Sequence, residues 1–225
     1  MKTHHTNSSK LYFHLFLSIG FAISLVLIRM QITNNHFYIF LIWNLFLAGI
    51  PYVISQTMKN HLWIQSSKIY SYLGFIIWLV FLPNSPYIVT DLVHLENGNS
   101  NLAWFDLFLV FVFALNGLLL GLLSMLDMFQ IISFRYTKRV AFITMIKISL
   151  LAGYGIYLGR FLRFNSWDII MQPKSLLNQI IFSIYDPKMI LMTFAFGGFI
   201  WILFSLMNYF MESLNLRYSE IEKTN

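Results

Sequence analysis

Two stretches of the chain carry ionisable residues at spacings that suit chemistry. Tyr87, Asp91 and His94 follow one another at offsets of four and three, which places them on one face of a helix. An aspartate beside a histidine supplies a general base and its orienting group near neutral pH. Arg160 and Arg163 lie farther along the chain, and guanidinium groups suit a phosphate or carboxylate. The two stretches therefore predict catalysis or anion binding, provided that the fold brings them together.

The composition restricts which fold can do this. The 225 residues are 58% hydrophobic and only 11% charged, with a mean hydropathy of +0.66, whereas a soluble domain is roughly 25% charged. Several apolar runs approach the roughly 20 residues that cross a hydrocarbon core as a helix. We therefore expect an all-α fold, a polytopic transmembrane helical bundle. The net charge of +6 is assigned to loop residues that orient the helices, and no nucleic-acid partner is expected.

Six apolar runs predict the membrane spans, at residues 11–28, 37–55, 69–95, 104–129, 140–162 and 189–211. Residues 1–10 and 212–225 are then terminal tails, and residues 11–211 form one transmembrane domain. Between the fifth and sixth runs we expect an amphipathic helix in the membrane interface. Its apolar residues recur at helical spacing, and they are Leu176, Leu177, Ile180, Ile181 and Ile184.

The lysines and arginines predict the orientation. With a cytoplasmic N-terminus, nine of the 15 basic residues lie on the inner side and five on the outer side, which favours cytoplasmic termini in the cell membrane. Lys147 falls inside a span, and we expect it to extend to the inner interface. The outer five are Arg29, Arg160, Arg163, Lys174 and Lys188.

The third run is broken by Pro83 and Pro86. Each proline lacks an N–H and disfavours helix at the residue before it, so the helix must stop or kink here. Ser85 is a good N-cap and Pro86 a good first helical residue, so we expect a second helical piece that carries Asp91. Broken helices at membrane depth line cavities or are surrounded by protein. The break therefore indicates either a binding site or a plain proline kink.

Glycine pairs predict close packing of the fourth and fifth spans, because small residues four apart let helix backbones approach. The pairs are Gly117 with Gly121, and Gly155 with Gly159. Asp106 shares the first glycine face and should point into the bundle. We expect the acidic residues of the third and fourth spans to meet Arg160, Arg163 and Asp168 at the outer surface, as a structural salt-bridge network or an anion site. In the second span, Asn44, Ala48, Pro51 and Ser55 form a stripe that we interpret as a packing seam.

Residues 78–95 (WLVFLPNSPYIVTDLVHL) and 155–168 (GIYLGRFLRFNSWD) resemble the two hallmark stretches of a bacterial integral-membrane family of unknown function. The resemblance implies a tryptophan in many relatives at the position of Phe164, where this chain keeps an aromatic residue. The resemblance implies a multi-pass bacterial membrane protein but no activity or cofactor. It highlights Asn84, Pro86, Tyr87, Thr90, Asp91, His94, Arg160, Arg163, Asn165, Trp167 and Asp168.

Three functional hypotheses follow from these residues. The first is a transporter, flippase or lipid-handling protein that binds an anionic small molecule or lipid headgroup in an outward-facing pocket. The second is a membrane enzyme that acts on a lipid-linked substrate with Asp91 as general base and His94 as its orienter. The third is an assembly protein without a small-molecule site. No cofactor is expected, and a metal site is not expected because no second histidine supports the aspartate and histidine pair. The candidate ligand-binding residues are Asn84, Tyr87, Thr90, Asp91, His94, Asp106, Arg160, Arg163, Trp167 and Asp168.

Overall fold

The computed structural model describes the backbone of residues 2–97 and 102–224. It describes the side chains in these ranges except those of residues 2–8, 62, 94, 96–97 and 215–224. Throughout this part of the chain the regular structure is helical and no strand occurs. In order, the elements are α1 (Lys2–Thr33), α2 (Ile39–Asn60), α3 (Leu62–Ser66), α4 (Lys68–Phe81), α5 (Asn84–Tyr87), a 3₁₀ helix (Ile88–Asn97), α6 (Ala103–Arg135), α7 (Lys138–Arg160), α8 (Asp168–Met171), α9 (Pro173–Ser183) and α10 (Pro187–Thr224).

Six helical segments in the described residues are long and apolar enough to cross a membrane, which confirms the predicted helical bundle. Their limits are Ser9–Thr33, Ile39–Asn60, Lys68–Val93, Ala103–Arg135, Lys138–Arg160 and Pro187–Leu214. The fourth segment runs six residues beyond its predicted end, because the apolar sequence continues through Ile131 and Ile132 to Arg135. Helices α1 and α10 continue without a break into the predicted tails.

Large apolar side chains cover the outer surface of these helices. Phe16 on α1 is 79% exposed, and Phe134 on α6 is 90% exposed. Monomeric soluble proteins rarely expose contiguous apolar surfaces beyond a few hundred Å². Side chains of this kind on most of the six helices are therefore expected to face lipid, and the chain is a multi-pass membrane protein.

The helix α6 is the centre of the bundle. It packs against α1, α2, α7, α10 and the broken third span, and α7 packs along α10. One buried cluster joins α1, α2 and the first half of α6, and a second joins the later half of α6 to α4, α7 and α10. Because successive spans run in opposite directions, α1 and α7 end where α2 and α6 begin. We call this the cavity end, and the other the opposite end.

The predicted amphipathic helix is present as α9, which lies at the cavity end. Leu176 is 8% exposed, whereas Leu177 and Ile181 are 59% and 58% exposed. The helix therefore has apolar side chains directed into the protein and others directed away from it.

Candidate functional site

The third span breaks at the prolines, as expected, but its second piece differs from the prediction. Ser85 does not cap a helix: its hydroxyl donates to the Ala48 carbonyl on α2 at 2.9 Å. The side chain is fully buried against neighbouring helices, so it bonds to the carbonyl that it meets there. Only a short helix, α5, forms, and a 3₁₀ helix carries Asp91. The Thr90 hydroxyl donates to the Tyr87 carbonyl at 2.7 Å, which supplies a local partner for that acceptor.

Two glycine faces hold the broken segment from opposite sides. On α6, a Cβ at Gly117 would lie 2.7 Å from the Ser85 carbonyl oxygen, and one at Gly121 would lie 2.7 Å from the Ser85 Cβ. On α7, Gly155 contacts the Pro83 ring and Gly159 contacts the Tyr87 ring. The glycines therefore do permit close helix packing, as predicted. Both pairs pack against the segment of the third span that holds Pro83, Ser85 and Tyr87.

A cavity of about 400 Å³ opens beside the break, within the range of about 300 to 1,000 Å³ that ligand pockets occupy. The broken span contributes Pro83, Asn84, Tyr87 and Asp91, and α7 with the segment after it contributes Gly155, Arg160, Arg163, Asn165 and Ser166. Apolar side chains come from α2 and α9, and they are Phe40, Leu47, Leu176 and Ile180.

Asp91 and Arg160 form an ion pair inside this cavity. The Asp91 side chain is only 2% exposed, and its Oδ1 lies 3.6 Å from Nη1 of Arg160. The other carboxylate oxygen, Oδ2, accepts a hydrogen bond from the Asn44 amide on α2 at 2.8 Å. The carboxylate thus joins three spans, and its position depends on the arginine and the amide together. A buried carboxylate costs several kcal/mol unless it is paired in this way.

Arg163 lines the cavity without such compensation. Its side chain is exposed and forms no hydrogen bond or ion pair with the described residues. Its backbone is left-handed, with φ of 59°, a conformation that costs a residue other than glycine roughly 1 to 2 kcal/mol. The turn is closed by the Phe164 N–H, which donates to the Leu158 carbonyl at 3.1 Å. Strain of this kind is common at functional sites.

The segment after α7 is fixed to the broken span. Asn84 donates to the Ser166 hydroxyl at 2.9 Å and to the Phe81 carbonyl at the same distance. The Ser166 hydroxyl donates in turn to the Val80 carbonyl at 3.0 Å. Within the segment, the Asn165 N–H donates to the Asp168 carboxylate at 2.7 Å. These bonds hold both arginines beside the break.

Several predicted site residues lie outside the cavity. Thr90, Trp167 and Asp168 do not line it, although Asp168 supports the arginine-bearing segment. The side chains of His94 and Glu96 lie outside the described part of the structure, so the predicted pairing of Asp91 with His94 stays a prediction. In the described residues no three histidine, aspartate or glutamate side chains group as metal ligands.

Asp106 points into the bundle as predicted, but its ion-pair partner is on a different helix from those expected. Its carboxylate takes two hydrogen bonds from Arg29 on α1, one of them from Nη2 at 3.0 Å. Both side chains are nearly buried. The Arg29 guanidinium also lies 5.6 Å from the centre of the Tyr38 ring. Burial and the nearby Asp106 carboxylate raise the pKa of Tyr38 to about 12. Asp106 therefore connects α1 to α6 and does not line the cavity.

Sequence reasoning placed Asn44 in a packing seam, and the structure corrects this. Ala48, Pro51 and Ser55 are buried as a seam requires, but Asn44 lines the cavity and bonds to Asp91. One signal was available: no other asparagine or glutamine occurs between Ile39 and Ser55. Isolated polar residues inside spans are expensive, which makes them candidates for a site.

A second polar cluster, at the opposite end, was also missed. Asp127 on α6 is 6% exposed and accepts from Lys59 at 2.7 Å, from Gln56 at 2.6 Å and from Ser55 at 3.2 Å. The Tyr12 hydroxyl on α1 donates to the Gln56 amide oxygen at 2.9 Å. Because these partners of Asp127 and of Gln56 come from α1 and α2, the cluster fastens the first two spans to α6.

Fold and site together define a multi-pass helical membrane protein with a polar cavity at one end. Residues 43–203 match the model of a family described as "Protein of unknown function (DUF1361)". The chain belongs to this family, and the matched residues include the whole broken span and both arginines. No curated protein and no solved structure matches the chain significantly.

Proposed function

We propose that the cavity binds an anionic group, from a small molecule or a lipid headgroup, and that the protein transports, flips or otherwise handles that molecule. One observation carries the proposal. Among the residues whose side chains the structure describes, the charged ones that line the cavity are Asp91, Arg160 and Arg163. The carboxylate pairs with Arg160, so the formal charge that remains is that of Arg163. An anion in the cavity would compensate this charge, and near the largely buried pair of Asp91 and Arg160 it would interact more strongly than in bulk water.

Hydrogen-bond donors around the arginines support the same ligand chemistry. Asn44, Asn165 and Tyr87 line the cavity, whereas Asn84 and Ser166 donate to protein acceptors and hold the wall in place. Amide and hydroxyl donors complement the acceptor oxygens of phosphate or carboxylate, and arginine binds both groups through two parallel hydrogen bonds. In this arrangement Arg163 contacts the anion directly, and Asp91 holds Arg160 in position.

The contacts of Asp91 favour binding over catalysis. Both carboxylate oxygens face partners of the protein, Asn44 and Arg160. A general base must reach the proton that it removes, whereas a positioning residue must hold its neighbour. The enzyme hypothesis would therefore need Asp91 to leave at least one of these partners during the reaction.

The experiment measures thermal stability of the purified protein in detergent while inorganic phosphate is added. An anion present at 100 times its Kd raises the free energy of unfolding by about 2.7 kcal/mol, which shifts Tm by several degrees. We expect Arg163→Ala to abolish this shift without lowering the stability of the anion-free protein. The matched control is Lys174→Ala, which removes an exposed positive charge at the same end but outside the cavity lining. An equal shift in the wild type and in Arg163→Ala would refute the proposal, and so would a shift in neither.

A further inference from the structure

Polar and apolar side chains both line the cavity. The polar ones come from α2, the broken span, the end of α7 and the segment that follows it. The apolar ones include Phe40 and Leu47 on α2, Leu176 and Ile180 on α9, and Val80, Leu158, Phe164 and Ile169. A small hydrophilic anion gains from the polar side chains only, because apolar walls offer it no hydrogen bond. The apolar side chains favour a ligand part that is itself apolar.

The helix α9 separates this cavity from the outside of the protein. Leu176 and Ile180 line the cavity, whereas Leu177, Ile181 and Phe182 are 59%, 58% and 73% exposed on the other side. Exposed apolar residues on a short helix at the end of a span are typical of a helix lying in the membrane interface. An apolar chain between α2 and α9 would therefore pass from the cavity into hydrocarbon without crossing water.

The headgroup position and this apolar path lie next to each other. Leu47 lies one helical turn farther from the cavity end than Asn44, the α2 residue that bonds to Asp91. Ile169 follows shortly after the arginine-bearing segment and also lines the cavity while remaining 46% exposed. One molecule can therefore contact the arginines with its anionic group and the apolar lining residues with its hydrocarbon part.

We infer that the ligand is an anionic amphiphile, a lipid whose phosphate or carboxylate lies at Arg160 and Arg163 and whose hydrocarbon chain leaves the cavity between α2 and α9. The inference rests on the proposed anion site and specifies its ligand. It places the entry route in the plane of the bilayer rather than in the aqueous phase. Charge complementarity with the arginines positions the headgroup, and the apolar residues of α2 and α9 contact the hydrocarbon chain.

The test compares inorganic phosphate with ethyl, butyl and hexyl phosphate, using protein in nanodiscs of zwitterionic phosphatidylcholine. Each methylene that becomes buried strengthens binding about fourfold, so hexyl phosphate should bind more than tenfold more tightly than ethyl phosphate. Arg163→Ala should weaken all four ligands, because the headgroup anchors each of them. That control separates binding in the cavity from partition into the bilayer.

Variants on α8 and α9 then locate the hydrocarbon chain of the ligand. Ile180→Ser should reduce the gain from ethyl to hexyl phosphate at least fivefold, with each affinity expressed relative to that of the same variant for inorganic phosphate. Ile169→Ser, at a half-exposed position that tolerates polarity, should act in the same direction. The matched control is Ile181→Ser, on the outward face of α9, which should not change this gain.

The possible results separate a failure of this inference from a failure of the proposed anion site. If inorganic phosphate binds through Arg163 but affinity does not rise with chain length, the ligand is a soluble anion and only the inference is wrong. An undiminished gain in both Ile180→Ser and Ile169→Ser likewise refutes the route between α2 and α9. If none of the four phosphates binds, the proposed anion site is refuted as well.

Discussion

Arg29 on α1 and Asp106 on α6 form a buried ion pair through two nitrogens and both carboxylate oxygens, although 77 residues separate them in the chain. Removal of one partner leaves a charge without its counterion, which costs about 3 to 5 kcal/mol in a buried pair. We expect Asp106→Ala to lower Tm in detergent strongly. The double variant Arg29→Met with Asp106→Leu should recover most of the loss, because no uncompensated charge remains.

The exposed pair of Lys138 and Glu212, 3.3 Å apart, is the control for this measurement. Exposed ion pairs contribute about 0 to 1 kcal/mol, so Lys138→Ala should leave Tm almost unchanged. A double variant at Arg29 and Asp106 that is no more stable than Asp106→Ala would show that shape rather than charge compensation holds α1 to α6.

The glycine contacts with the break predict a second effect on stability. In Gly117→Ala the new Cβ would meet the Ser85 carbonyl oxygen at 2.7 Å. Backbone must then move, at a cost of roughly 1 to 3 kcal/mol. At Gly49 on α2 a Cβ meets nothing within 4 Å, so Gly49→Ala should stabilise the helix by up to about 1 kcal/mol. Thermal unfolding of both variants in the same detergent gives the comparison, and equal effects would contradict the close packing.

Hydropathy and proline chemistry made the fold predictable. A run of about 20 apolar residues can satisfy its backbone in lipid only as a helix, and Pro83 with Pro86 cannot continue one. These local rules gave the six spans, the break and the amphipathic helix α9. They also indicated that Asp106 faces inward, because an unpaired charge toward lipid is costly.

The partners of these residues could not be predicted in the same way. Asp106 pairs with Arg29, and Asn44 bonds to Asp91, because of how distant helices are rotated and arranged around α6. Helical periodicity tells which residues share a face but not which helix that face meets. The Asp127 cluster was missed for the same reason, since its partners Ser55, Gln56 and Lys59 lie about 70 residues earlier in the chain.

The left-handed backbone at Arg163 predicts a separation of stability from binding. Glycine adopts φ of 59° without steric cost, but it also gains freedom in the unfolded chain, so the two effects largely cancel. Arg163→Gly should therefore change the free energy of unfolding by less than about 1 kcal/mol while it abolishes stabilisation by phosphate. A loss of stability well above this value would assign a structural role to the guanidinium.

Asp186, in the turn before α10, predicts a dependence of stability on pH. The Tyr157 hydroxyl donates to its Oδ2 at 2.6 Å and the Lys188 N–H to its Oδ1 at 2.9 Å, and these bonds lower the pKa of the Asp186 carboxyl. Stabilisation by a lowered pKa is present above the ordinary aspartate pKa of about 3.9 and is lost as the pH falls through the lower folded value. Wild type should exceed Asp186→Asn in Tm above about pH 4, and the difference should shrink at lower pH. Tyr157→Phe, which removes the largest cause, should shrink it at every pH.

The distribution of basic residues predicts that the cavity faces away from the cytoplasm. Because the chain has no cysteine, single cysteines can report orientation without background. Lys174 in α9 is exposed at the cavity end, and Lys138 is exposed at the opposite end with 79% of its side chain accessible. A membrane-impermeant maleimide should label Lys174→Cys in intact cells, and Lys138→Cys only after permeabilisation. The reverse pattern would place Arg163 in the cytoplasmic leaflet, where an anionic lipid would reach the cavity from the inner side.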